Sequence, residues 1–155
     1  MNHVLLTVTT LVVILSAAAG CKAPYTMTAP TQFKRFMDTD DFKMITADGV
    51  MLRARQVENY PKGDLSFWTD AMTQHLEASG YVLREKRCFK NRSHKDACTL
   101  DFLLPHGAED WAFSETIFVV DDNLVLVEAA GPFDRYAKIE TDLAKALETF
   151  EPNLN

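Results

Sequence analysis

Residues 124–133 read Leu-Val-Leu-Val-Glu-Ala-Ala-Gly-Pro-Phe, and residues 134–150 continue as Asp-Arg-Tyr-Ala-Lys-Ile-Glu-Thr-Asp-Leu-Ala-Lys-Ala-Leu-Glu-Thr-Phe. The first part is an apolar run of strand length, with Gly131-Pro132 as a stop signal for the sheet. In the second part Ile139, Leu143, Ala146, Leu147 and Phe150 recur so that one face of a helix over 134–150 is apolar. A buried strand running straight into an amphipathic helix calls for a sheet with a helix packed on it.

Working outward, Asp121-Asp122-Asn123 is a turn, and Asp110 to Val120 a long strand before it. Pro105-His106-Gly107 is a break. Tyr81 to Lys90 and Ala97 to Leu104 form a hairpin about the polar turn Asn91 to Lys95. Asp64 or Ser66 caps a helix that lasts through Ser79, with Leu65, Trp68, Met72 and Leu76 on one stripe and Gly80 as its C-terminal stop. Asn59 to Gly63 is a break. Phe42 to Ala47 and Val50 to Glu58 are strands joined by a two-residue Asp48-Gly49 turn. The order ββ-α-ββ-ββ-α predicts an α+β domain: one mostly antiparallel sheet of about six strands with two main helices packed on it.

The chain has 155 residues, 47% of them hydrophobic and 25% charged, which suits one globular domain. Its net charge of -6 argues against general nucleic-acid binding. No Lys, Arg, Asp or Glu precedes Lys22, and Val4 to Ala19 is apolar or small apart from four hydroxyl residues. That run is shorter than the roughly 20 residues of a spanning helix and fits a signal peptide over 1–20. It ends in Ser16-Ala17-Ala18-Ala19-Gly20-Cys21. This resembles the bacterial lipobox, with Ala18 where Leu is commonest and with only His3 and the amino terminus to supply positive charge. The resemblance implies a lipoprotein whose Cys21 carries diacylglycerol and fatty acyl chains such as palmitate. Ordinary secretion after an Ala, or an uncleaved anchor, are the other readings. Lys22, where some bacteria use Asp for inner-membrane retention, leans towards the outer membrane. Residues 21–32 hold Pro24 and Pro30 with no period and are read as a lipidated tether to a domain over 33–155.

The layout of hairpin, helix ending in Gly80-Tyr81, strands, Leu124 to Phe133 and then the terminal helix is similar to the PsbP/Mog-like fold, shared by the DcrB-type envelope lipoproteins. The resemblance covers residues 33 to 152 in layout and carries no fixed motif. It implies a non-catalytic accessory or binding role and transfers no site residues.

With Cys21 lipidated, Cys88 and Cys98 are the remaining thiols, in an oxidising compartment. Both stand five residues from Ser93, so they oppose each other across the hairpin, within disulfide range. That register also puts Lys86 opposite Leu100 and Arg84 opposite Phe102. A bulge between Lys86 and Lys90 would relieve the mixing. Two buried free thiols are the alternative.

Arg84, Lys86, Arg87, Lys90, Arg92 and Lys95 crowd the same hairpin. They suit an anionic lipid, lipopolysaccharide or acidic protein partner, or else keep an edge strand soluble. His106, with Glu109 and Asp110 in one loop, has the groups for acid–base chemistry or a cation, though a solvated turn needs them as much. His75 and His94 stand at no ligand spacing. Trp68, Phe67 and Met72 suit packing; Trp111 suits packing or ligand stacking. No phosphate-cradling glycine loop or hydrolase motif occurs. The expectation is a periplasm-facing, membrane-anchored envelope lipoprotein that is no enzyme and uses no cofactor or metal, and that binds an envelope partner not identified by sequence. A lipid or lipopolysaccharide carrier with an apolar cavity is the alternative, and a small hydrolase or metal-dependent enzyme using the His106 loop a further one.

Overall fold

A computed structural model describes residues 24–37 and 42–154. Cys21, Lys22 and the 1–20 segment lie outside the described residues. The expected α+β architecture is present, with seven strands in the main sheet. In chain order the elements are β1 (Tyr25–Thr26), β2 (Phe33–Arg35), β3 (Phe42–Thr46), β4 (Met51–Glu58), α1 (Leu65–Ala78), β5 (Val82–Lys90), β6 (Asp96–His106), β7 (Glu109–Val120), β8 (Asn123–Pro132), α2 (Phe133–Tyr136), α3 (Glu140–Leu147) and β9 (Glu151–Pro152). The sheet order is β2-β3-β4-β8-β7-β6-β5, and every pairing is antiparallel.

One face of this sheet is covered by α2, α3 and a ribbon of β1 paired with β9. Its core joins Phe42, Leu52, Ala97, Phe118, Val125 and Val127 to Tyr136, Ile139, Leu143, Leu147 and Phe150. Phe150 is its hub, with ring centroids 5.4 Å from Phe118, 5.8 Å from Phe42 and 5.8 Å from Tyr25. The opposite face carries Leu100, Phe102, Ile117, Leu124 and Leu126 under α1, which contributes Leu65, Trp68, Met72 and Leu76. The cap of α1 is Asp64, whose carboxylate accepts from the Phe67 N–H at 2.8 Å. Buried Asn59 ties the helix to the end of β4 by accepting from Trp68 Nε1 at 2.7 Å and from Gly63 N at 3.0 Å. Gly80, at φ +91°, follows the helix in the left-handed conformation expected of a stop.

Five local readings are revised. Strand β2 has no counterpart in the sequence reading and brings the expected sheet of about six strands to seven. The segment read as a tether contributes buried Tyr25 to the aromatic core, and Asn153 N donates to Pro24 O at 2.8 Å. The β3–β4 loop is Ala47-Asp48-Gly49, a three-residue connection: Thr46 and Val50 pair, and only Gly49 takes positive φ, +87°. Gly131 and Pro132 do not end the sheet but extend β8 against Ala112 and Trp111. Both lie beyond Ala130, the last β8 residue paired with β4, so Pro132 sits where the strand has a neighbour on one side only. A side chain at Gly131 would stand 3.1 Å from the Val50 Cα. Finally, the 134–150 helix is two helices. Ile139 N donates to Tyr136 O at 2.9 Å, a three-residue step that points Tyr136 and Ile139 both at the core before α3 resumes.

Candidate functional site: the half-open sheet face

The residues singled out in sequence are placed as follows. Cys88 and Cys98 are paired in register with Cα atoms 4.0 Å apart, and their sulfurs are bonded. The bulge falls at Arg84, between Leu83 and Glu85, and not between Lys86 and Lys90. Leu83 thereby replaces Arg84 opposite Phe102, while Lys86 keeps Leu100 as its partner. Lys86 is accommodated there because its Nζ donates to Thr69 Oγ1 at 2.8 Å and reaches Asp70 at 3.3 Å on α1.

The six basic residues do not share a face. Arg84 leans over the Phe133 ring and meets Glu140 at 3.2 Å on the α3 side, where the pair Arg87↔Thr99 also points. Lys86 and Lys90 take the α1 side, and Lys90 pairs with Asp96 at 2.6 Å. Lys95 donates to Pro152 O at 2.9 Å, and the Arg92 backbone N–H donates to Glu148 O at 3.0 Å. His106 and Glu109 are partners at the β6–β7 turn, and with Asp110 they are exposed. His75 and His94 are exposed as well, and Trp111 is 38% exposed. Among the described residues, no group of three or more His, Cys, Asp or Glu side chains is arranged to hold a metal ion.

A cluster that sequence reading passed over occupies the part of the second face that α1 leaves open. Strand alternation and register put Met51, Arg53 and Arg55 of β4 beside Ala130, Glu128 and Leu126 of β8. On the next strand, Glu115 lies directly opposite Glu128. Like charges opposed across a sheet are unfavourable, and here both carboxylates are also buried, at 2% and 6% exposure. Glu128 resolves its charge by accepting from the Nε of Arg53 and, at 2.8 Å, from the Nε of Arg55. Glu115 has Arg55 Nη2 at 4.0 Å. Burial, then Glu128 nearby, pushes the Glu115 carboxyl up to about 7, against the pull of the two arginines. The usable signal was an acid in the middle of each of two central strands, Glu115 in β7 and Glu128 within the apolar run of β8, since a buried charge demands a partner. A groove of about 240 Å³ adjoins the cluster, lined by Met51, Arg53, Phe113, Glu128 and Ala130.

The covered face buries an acid of its own. Asp101 lies opposite Ser114 and is pushed up to about 6, chiefly by burial, with Arg87 opposing the shift. Tyr136, hydrogen-bonded to Ser114, has its phenol raised by burial and by Asp101.

No protein-family model matches this sequence, and no curated protein matches it significantly. The backbone does have solved counterparts. A Pseudomonas aeruginosa protein of unknown function, PA94, superposes with a TM-score of 0.63 at 12% identity, over 83% of this chain and 99% of that one. LpqN of Mycobacterium tuberculosis, involved in cell envelope biogenesis, gives 0.63 at 10% identity over 83% of each chain. CyanoP, the cyanobacterial PsbP of Synechocystis, gives 0.55 at 12% identity over 89% and 98%. The domain therefore has the fold of the PsbP-like α+β proteins. Among the described residues no helix is long and apolar enough to cross a membrane.

Proposed function

We propose that this chain is a cell-envelope lipoprotein, anchored through acyl chains on Cys21 in the manner of DcrB-type proteins, whose domain binds an envelope partner and catalyses nothing. The observation that carries the binding role is the half-open face: Met51 is 47% exposed beside Arg53 and Arg55, where the opposite face is roofed. The anchor geometry agrees with it. Only Lys22 and Ala23 stand between Cys21 and Pro24, a reach of about 10 Å at full extension. The β1 strand, which begins four residues after Cys21 in sequence, packs on the covered face and leaves the open face free of it. The Cys88–Cys98 bridge suits an oxidising compartment, and a likeness in fold to an envelope-biogenesis protein points the same way.

The test combines two measurements in whole cells. Intact mass of the native protein should show an acylated N-terminus at Cys21. A photoreactive residue at position 51 should give a discrete protein or lipid adduct, and one at exposed Glu77 should not. An unmodified N-terminus downstream of Cys21 overturns the anchor, and equal labelling from 51 and 77 overturns the binding face.

A further inference from the structure

Arg53 is held in an unusual way for a half-exposed arginine. Its side chain is 53% exposed, yet its Nε is fixed on Glu128, whose side chain is 7% exposed. The same carboxylate takes the Nε of Arg55, so both its oxygens are engaged and cannot follow an incoming ligand. Among the described residues no hydrogen bond engages the Nη nitrogens of Arg53. A guanidinium locked by one edge presents the other as a preorganised fork, the geometry that matches a carboxylate or phosphate.

The surroundings narrow the ligand. Arg53 is a wall of the 240 Å³ groove, and the groove continues over Met51, Phe113 and Ala130, which are apolar. That volume is below the usual range of about 300–1,000 Å³ for drug-sized ligands, so it suits a short chain. The register places Lys43 opposite Arg53 and Lys34 opposite Ile45 on this same face. Among the described residues, Lys34, Arg53 and Arg55 share this face with the acids Glu115 and Glu128, in a chain of net charge -6. The raised Glu115 carboxyl, partly protonated near neutrality, lessens the negative charge beside the arginines. Glu128, itself in the lining, tolerates one negative charge nearby far better than two, which disfavours a phosphate dianion.

We propose that Arg53 and the groove of Met51, Phe113 and Ala130 bind a carboxylate carrying a short apolar chain, with its oxygens on the Nη groups of Arg53. This rests on the half-open face being a binding surface. Two sources supply such a group: a fatty acid, or a peptide C-terminus with an apolar last residue.

The experiment uses the full chain carrying Cys21→Ser, so that no acyl chain competes for the groove. Octanoate and N-acetyl-leucine are titrated while the Met51 methyl and Arg53 Nε–Hε resonances are followed. One or both should give saturable shifts. Acetate, inorganic phosphate and N-acetyl-leucinamide should bind at least tenfold more weakly. Stronger response to octanoate assigns the fatty acid, stronger response to N-acetyl-leucine the C-terminus. Arg53→Gln should weaken binding at least tenfold; Met51→Glu, at an exposed position, should do so by closing the groove and repelling the anion. Absence of saturation with both probes, or equal binding of acetate, overturns the site. If position 51 still crosslinks specifically in cells, only the ligand class has failed; if it does not, the binding face has failed with it.

Discussion

One face of the sheet is roofed across its width by α2, α3 and the β1–β9 ribbon, while among the described residues the other is roofed by α1 alone, over β5, β6 and β7. Seven strands at about 4.8 Å span roughly 29 Å. A helix about 10 Å wide covers two or three of them. The half that α1 leaves uncovered therefore follows from the width of one helix, and the sequence populates it with arginines and acids beside Met51, Phe113 and Ala130. The covered face has nowhere to put an exposed side chain and closes on Phe150.

The largest test of that contrast is truncation on each side. Phe150 is 0% exposed at the centre of an aromatic cluster, so Phe150→Ala should cost about 3–5 kcal/mol. Met51→Ala, at 47% exposure, should change stability by no more than about 0.5 kcal/mol. Urea melts of the two variants measure both. Comparable losses would mean that the second face is a closed core and not a surface.

The buried acids give the next test, and both faces contribute to it. Asp101 and Glu115 are raised to about 6 and about 7 by burial, so the folded state holds protons that the unfolded state releases. For a raised acid, stability is highest below the unfolded pKa and declines as pH rises through the folded one. The domain should lose stability between about pH 4 and pH 7, by roughly 1–3 kcal/mol per group, and then level off. Asp101→Asn should remove the contribution that ends near pH 6, and Glu115→Gln the contribution that continues to about pH 7. Denaturation midpoints at pH 4, 5, 6, 7 and 8 are sufficient. A Glu115→Gln protein that is no more stable than the parent at pH 8 would show that Arg55 outweighs burial at that site.

The two faces also differ in how far the sequence exposes them. Helix α1 is legible because its apolar stripe, its Asp64 cap and its Gly80 stop agree, and the cysteine pair because both residues are equidistant from the turn. The three residues of β2 are too few to show a period of two. The break after Tyr136 is hidden because a three-residue step falls on the same apolar stripe as an α-helical one. On the open face, Arg53 and Arg55 alternate with Leu52 and Ala54 as in any half-exposed strand. Only pairing with β8 reveals that Glu128 anchors them, and pairing is long-range information. The basic hairpin misleads in the opposite direction. Six charges close in sequence look like one patch, but alternation and the bulge deal the four on β5 to both faces, and Arg92 and Lys95 lie in the turn that follows.

That division yields the smallest effect and the most direct probe of independence between the faces. Arg84 links β5 to α3 through Glu140 and the Phe133 ring; Lys86, two residues on, links β5 to α1 through Thr69 and Asp70. Both side chains are about one-third exposed, at 35% and 37%, so solvent weakens each link. Arg84→Ala and Lys86→Ala should each cost about 0.5–1 kcal/mol, the range of partly exposed ion pairs and cation–π contacts. Because the links run to different layers with no shared partner, the double variant should equal the sum within about 0.5 kcal/mol. Raising the salt to 1 M should shrink both losses, since exposed pairs are screened. Urea melts of the parent, the two single variants and the double variant supply the cycle. A coupling above about 0.5 kcal/mol would mean that β5 transmits strain between α1 and α3 through its bulge at Arg84, and that the roofed and open faces cannot be altered separately.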